Sequence, residues 1–122
     1  MLIVDDSPVV LAVLEAVFLA EHYLVVTASD GQRGFEQALR TRPDLLVTDS
    51  VMPEVDGLEF LRLLKNHPDT KGIPVIMLTS GDVLGGGSGG DHPRPDAYAA
   101  KGAPMQDLII LARSLVSVHR TP

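Results

Sequence analysis

Leu45-Leu46-Val47-Thr48-Asp49 is the stretch on which the fold turns. Pro43-Asp44 precedes it, and the run stays essentially apolar until the carboxylate of Asp49 ends it. A strand with one solvated face alternates in polarity, whereas a strand covered on both faces reads as a continuous apolar run. The stretch therefore predicts an interior parallel strand with an acid at its carboxyl end. Working outward, Leu2-Ile3-Val4 before Asp5-Asp6 and residues 75–78 before Thr79 repeat the arrangement. Residues 24–28 form another β-rich run, and residues 97–100 before Lys101 suffice for a short fifth strand.

Helical spacing fills the intervals. Ser7 is placed to cap a helix with Pro8 at its first position, and Val10, Leu11, Val13, Leu14, Val17 and Phe18 recur inward to about Ala20. Asp30-Gly31 opens a second helix to about Arg40, with Phe35, Ala38 and Leu39 inward. A third covers 57–66 with Leu58, Leu61 and Leu64 along one side. The last covers 105–118 with Leu108, Ile109, Ala112, Leu115 and Val116 inward. The alternation predicts one α/β domain over residues 1–122, a doubly wound five-stranded parallel sheet joined by right-handed crossovers. One interval breaks it. Residues 81–95 hold six glycines and two prolines in fifteen positions, a composition that costs a helix roughly 1 kcal/mol per glycine and 3 per proline. A flexible loop is expected there, with Val83 and Leu84 as its only apolar anchors.

Composition narrows the function. Sixteen acidic against ten basic residues leave a formal charge of -6, which disfavours direct binding to nucleic acid, where clustered cations meet phosphates. There is no cysteine, no apolar stretch long enough to span a bilayer, and no basic-then-apolar leader before Asp5. A soluble chain that remains in the cytoplasm, with no membrane partner, is expected.

In an open parallel sheet the strand-to-helix loops converge at the carboxyl edge. Asp5, Asp6, Asp49, Thr79 and Lys101 all stand there. Adjacent aspartates in a crevice raise each other's pKa unless a cation intervenes, and Mg2+ takes a few carboxylates together with carbonyl, water and phosphate oxygens. A carboxylate can attack phosphorus when a metal and a cation offset charge on the phosphoryl oxygens. Singly, each residue has a plainer use: an Asp pair caps a helix, a threonine closes a turn, a lysine is solvated. Their joint placement favours the site.

Ile3-Val4-Asp5-Asp6-Ser7, Thr48-Asp49-Ser50-Val51-Met52-Pro53-Glu54-Val55-Asp56-Gly57, Leu78-Thr79-Ser80 and Tyr98-Ala99-Ala100-Lys101 together resemble the receiver domain of two-component response regulators. The resemblance covers nearly the whole chain and implies a flavodoxin-like (CheY-like) fold, with the family's fourth helix here replaced by the glycine-rich segment. It implies Asp49 as phosphoacceptor, Asp6 as a direct Mg2+ ligand, Asp5 acting largely through water, and the Val51 carbonyl completing the metal site. Thr79 and the Ser80 amide would hold the phosphoryl group, Lys101 would pair with its oxygens, and Tyr98 takes the aromatic switch position. The implied partners are a sensor histidine kinase or phosphotransfer protein and a downstream effector. Where relatives carry Lys-Pro, often cis, this chain has Lys101-Gly102-Ala103-Pro104, so a trans loop is expected. The missing helix puts the usual output surface in doubt and predicts no phosphorylation-driven dimer through it.

Two other classes compete. A phosphate-independent receiver-like scaffold would use the loop to select partners. A hydrolase with an aspartyl-phosphate intermediate would need an acid two residues after the nucleophile, where Val51 stands. His22, His67, His92 and His119 show no ligand spacing and receive no role. No output domain is expected within these residues, whether the receiver stands alone or belongs to a longer regulator.

Overall fold

The computed structural model describes residues 1–52, 56–79 and 94–119, the last three of these by their backbone. In chain order the elements are β1 (Leu2–Val4), α1 (Pro8–Ala20), β2 (Val26–Ala28), α2 (Gly31–Thr41), β3 (Leu46–Asp49), α3 (Gly57–Lys65), β4 (Val75–Thr79), β5 (Ala97–Ala100) and α4 (Met105–His119). The strands form one sheet in the order β2-β1-β3-β4-β5, every pair parallel. The order reverses between β1 and β3, the switch point at which such sheets bind ligands.

Side chains of period two distribute the apolar runs between two cores. Leu2, Val4, Leu46, Val75 and Met77 face α2 and α3 with Phe60, Leu61 and Leu64. Ile3, Val47, Ile76 and Leu78 face α1 and α4 with Leu14, Phe18, Leu108 and Ala112. This is why β1, β3 and β4 lack alternation: each residue is buried on one side or the other.

Three caps set where the helices begin. The Ser7 hydroxyl accepts from the Val10 amide at 3.3 Å with Pro8 next in line, Asp30 accepts from Arg33 at 2.8 Å, and Asp56 accepts from Glu59 at 2.9 Å. Each satisfies an amide that the first turn leaves without an intrahelical partner. Gly34, inside α2, lets that helix lie against the sheet: an added Cβ would meet Val4 Cγ2 at 2.8 Å and Phe60 Cζ at 3.0 Å.

Three sequence expectations are corrected. Leu24 is 88% exposed and lies outside β2, because the neighbouring β1 starts only at Leu2, which pairs with Val26. Val13 is also exposed; α1 is apolar around most of its circumference, so spacing alone could not choose its inner face. On α3, Leu58 points outward, and the buried stripe is Gly57, Phe60, Leu61 and Leu64. The expectation of a loop over 81–95, with Val83 and Leu84 as anchors, falls outside the described residues up to position 93.

Candidate functional site

The three acids foreseen at the strand ends do converge. Asp5 and Asp6 follow β1, Asp49 ends β3, and one carboxylate oxygen from each lies within 4.8 Å of the others. Asp5 is fully buried and Asp49 is 2% exposed, whereas Asp6 faces solvent. Lys101, in the turn after β5, brings Nζ to 2.8 Å from Asp49 Oδ1. The Val51 amide donates to the same oxygen at 3.2 Å, and the Val51 side chain is exposed.

Thr79 ends β4 and is 1% exposed. Its carbonyl accepts from the Lys101 amide at 2.8 Å, which ties β4 to the start of the Lys101 turn. Its hydroxyl is buried with no hydrogen-bond partner among the described residues. Ser80 lies outside those residues, as do Pro53, Glu54 and Val55 of the Asp49 motif. Tyr98 sits on β5 opposite Met77 and is 45% exposed, so its side chain is not enclosed in the acidic cluster. No cis peptide occurs among the described residues, in line with the trans expectation for the turn after Lys101.

Electrostatics distinguish the acids. Burial raises Asp5 from its ordinary value; the Ser7 amide, donating to Oδ1 at 2.9 Å, opposes this, Asp49 adds to the rise, Lys101 opposes it, and Asp6 adds a little more. The second oxygen of Asp5, Oδ2, is buried and finds no donor among the described residues. Burial by itself would lower the Lys101 ammonium, but the hydrogen bond and charge of Asp49, together with Asp5 and Asp6, carry it above its ordinary value. A buried acceptor without a donor costs on the order of 1–3 kcal/mol. That unpaired oxygen, in a cluster of three carboxylates with one ammonium, fits a hard divalent cation.

Sequence reading passed over Gly57 and Thr48. An added Cβ at Gly57 would stand 2.6 Å from the Asp49 carbonyl oxygen and 2.7 Å from Ser50 Cα, while the Gly57 amide donates to the Ser50 carbonyl at 3.1 Å. The buried Thr48 hydroxyl donates to the Asp49 carbonyl at 3.0 Å. The Asp56-Gly57 step was the available signal, since a glycine directly after an N-cap loses helix propensity for some reason of space or conformation.

The family model for the response regulator receiver domain matches residues 1–84. The chain belongs to the response regulator receiver domain family. It is 37% identical over 112 residues to the response regulator PleD of Caulobacter vibrioides, an alignment covering 92% of this chain and 24% of that protein. The receiver thus spans about a quarter of that relative's length. A putative response regulator from Chloroflexus aurantiacus J-10-fl superposes with a TM-score of 0.86 at 30% identity, covering 95% of each chain. The receiver domain of the sensor histidine kinase PA1611 from Pseudomonas aeruginosa PAO1, solved with a magnesium ion coordinated in its active site cleft, superposes at 0.84 and 26% identity, again over 95% of each. Receiver domains are signalling domains that take a phosphoryl group in two-component phosphorelays, and this chain fits that role. No helix among the described residues is long and apolar enough to cross a membrane.

Proposed function

We propose that Asp49 is the phosphoacceptor of a single receiver domain over residues 1–122, phosphorylated by a sensor histidine kinase or a phosphotransfer protein in the cytoplasm. The observation that carries this reading is the 2.8 Å contact of Lys101 Nζ with the buried Asp49 carboxylate, beside the Thr79 hydroxyl, which has no hydrogen-bond partner among the described residues. A cation already at the acceptor oxygen is placed to follow charge onto a phosphoryl group.

An Asp49 oxygen forms the new bond to phosphorus as the bond from phosphorus to the donor's histidine nitrogen breaks. The electron pair leaves with the imidazole. Lys101 shifts from the carboxylate alone to the carboxylate and an equatorial phosphoryl oxygen. The Thr79 hydroxyl donates to a second one, gaining a partner that no described residue provides, and the Ser80 amide supports it. Asp6, Asp5, Asp49 and the Val51 carbonyl are the groups that would hold Mg2+, which supplies neutralisation of phosphoryl charge when bound. Val51 offers no polar group to orient water two residues after the acceptor, so hydrolysis of the acyl phosphate is slow and the domain turns over no other substrate. Tyr98 serves as the switch residue that reads Thr79. Downstream, the phosphorylated surface is read by a protein effector, without direct nucleic-acid contact.

Incubation with acetyl phosphate and Mg2+, followed by intact-mass measurement, should add one phosphoryl group to the parent and none to Asp49→Asn. Undiminished labelling of the Asn variant would remove Asp49 from the role. A parent that takes no label at all would leave the phosphate-independent scaffold as the better reading.

A further inference from the structure

We infer that Gly57 is a positioning residue for phosphoryl transfer: by carrying no side chain, it lets α3 press on the Asp49 main chain and hold the acceptor in register with Lys101. The inference rests on Asp49 being the acceptor. Gly57 opens α3 in ordinary helical geometry, so what excludes a side chain is space and not backbone conformation. The three nearest atoms to an added Cβ are the Asp49 carbonyl oxygen at 2.6 Å, Ser50 Cα at 2.7 Å and the Ser50 carbonyl oxygen at 2.9 Å. All belong to main chain, which cannot swing aside as the end of a long side chain can. The strand must shift, or the helix must withdraw.

Either movement acts on the acceptor itself. The Asp49 carbonyl is held from another direction by the Thr48 hydroxyl at 3.0 Å, and Ser50 is tied to β4 through its amide and Leu78 at 3.0 Å. Ser50 leads directly to Val51, whose amide fixes Asp49 Oδ1. A shift at residues 49–50 large enough to relieve three contacts all below 3.0 Å therefore passes to the carboxylate and to its 2.8 Å contact with Lys101. In-line displacement tolerates such errors poorly, with a misplacement of about 1 Å costing as much as 10²-fold in rate.

Gly34 supplies the comparison, because its close neighbours are the side chains of Val4 and Phe60 in the core. Gly57→Ala, Gly34→Ala and Thr48→Val are compared with the parent for acetyl phosphate labelling rate, for Mg2+ affinity by titration, and for thermal midpoint. Rates are taken well below every midpoint. Gly57→Ala should label roughly ten- to a hundredfold more slowly and bind Mg2+ more weakly. Gly34→Ala should lose thermal stability and keep its labelling rate to within about twofold. Parental labelling by folded Gly57→Ala, or equal slowing in Gly34→Ala, would overturn the positioning role, the latter by showing general loosening. If Gly57→Ala does not fold, Thr48→Val decides: it releases the same carbonyl with little change of shape, and roughly threefold slower labelling is expected, whereas a parental rate would overturn the inference. Failure of the parent to label, or labelling of Asp49→Asn, would instead count against Asp49 as acceptor.

Discussion

Two carboxylates lie buried on neighbouring strands at the same edge of the sheet, and their surroundings differ in a way that explains the site. Asp49, at the end of β3, has an ammonium at 2.8 Å and an amide at 3.2 Å on one oxygen. Asp5, after β1, has among the described residues only the Ser7 amide on one oxygen and no donor on the other. The protein compensates the first charge from its own chain and leaves the second costly. A buried carboxylate kept without full compensation is a common mark of function, because its burial is otherwise a loss to stability. Asp5 is consistent with a ligand shell, and Asp49 with a nucleophile held ready.

The largest effect that would sharpen this contrast comes from removing the compensation at β3. Lys101→Met should slow acetyl phosphate labelling by about 10²-fold, the usual loss when one charge-stabilising donor is removed from a reaction centre. It would also leave Asp49 as poorly paired as Asp5. Because the lysine is 39% exposed, the loss of stability should be only on the order of 1 kcal/mol, well below that of a fully buried pair. Single-turnover labelling and urea unfolding measure the two. Labelling at the parental rate would show that the 2.8 Å contact is structural.

Next in size is the metal. Asp6, exposed at the mouth of the cluster, is expected to be a direct ligand, and Asp5 to act largely through water. Asp6→Ala should then weaken Mg2+ binding by about tenfold or more, and Asp5→Ala by less. The contrast drawn above would break if the order were reversed in a Mg2+ titration, since the unpartnered Asp5 oxygen would then be the direct ligand.

Much of this was legible in the residues. The continuous apolar run at 45–48 announced a strand covered on two faces and the run at 75–78 a further strand, and Ser7-Pro8 and Asp30-Gly31 marked two helix starts that the capping bonds reproduce. The grouping of Asp5, Asp6, Asp49 and Lys101 followed from all four standing at carboxyl ends of parallel strands. What could not be read was decided by contacts between distant parts of the chain. Leu24 has good strand composition but no residue of β1 opposite it in the register, only the Met1 ammonium on its carbonyl at 2.7 Å, and Val13 and Leu14 are equally apolar although only Leu14 is buried. Likewise, Asp5 and Asp49 each end an apolar run. Only the arrival of Lys101 from a turn more than fifty residues away along the chain makes one of them compensated.

The smallest effect tests the comparison at its other end, without any phosphoryl donor. Burial lifts the Asp5 carboxyl above its ordinary value of 3.8, so the metal-free folded state binds a proton more readily than the unfolded chain does. Below that ordinary value both states are protonated and Asp5 exacts no charge penalty. As pH rises through the window up to the elevated folded value, the unfolded chain gives up its proton first, and stability falls. At neutral pH the whole penalty remains. Asp5→Asn keeps an oxygen for the Ser7 amide and removes the charge, so in a chelator at neutral pH the variant should be more stable than the parent by on the order of 1 kcal/mol. The two should converge as the pH drops below 3.8. Added Mg2+ should reverse their order by stabilising the parent more than the variant. Urea midpoints measured with chelator and with Mg2+, at neutral and acid pH, give all three comparisons. A variant less stable than the metal-free parent at neutral pH would show that the Asp5 charge is compensated after all, and the two strand ends would then be alike.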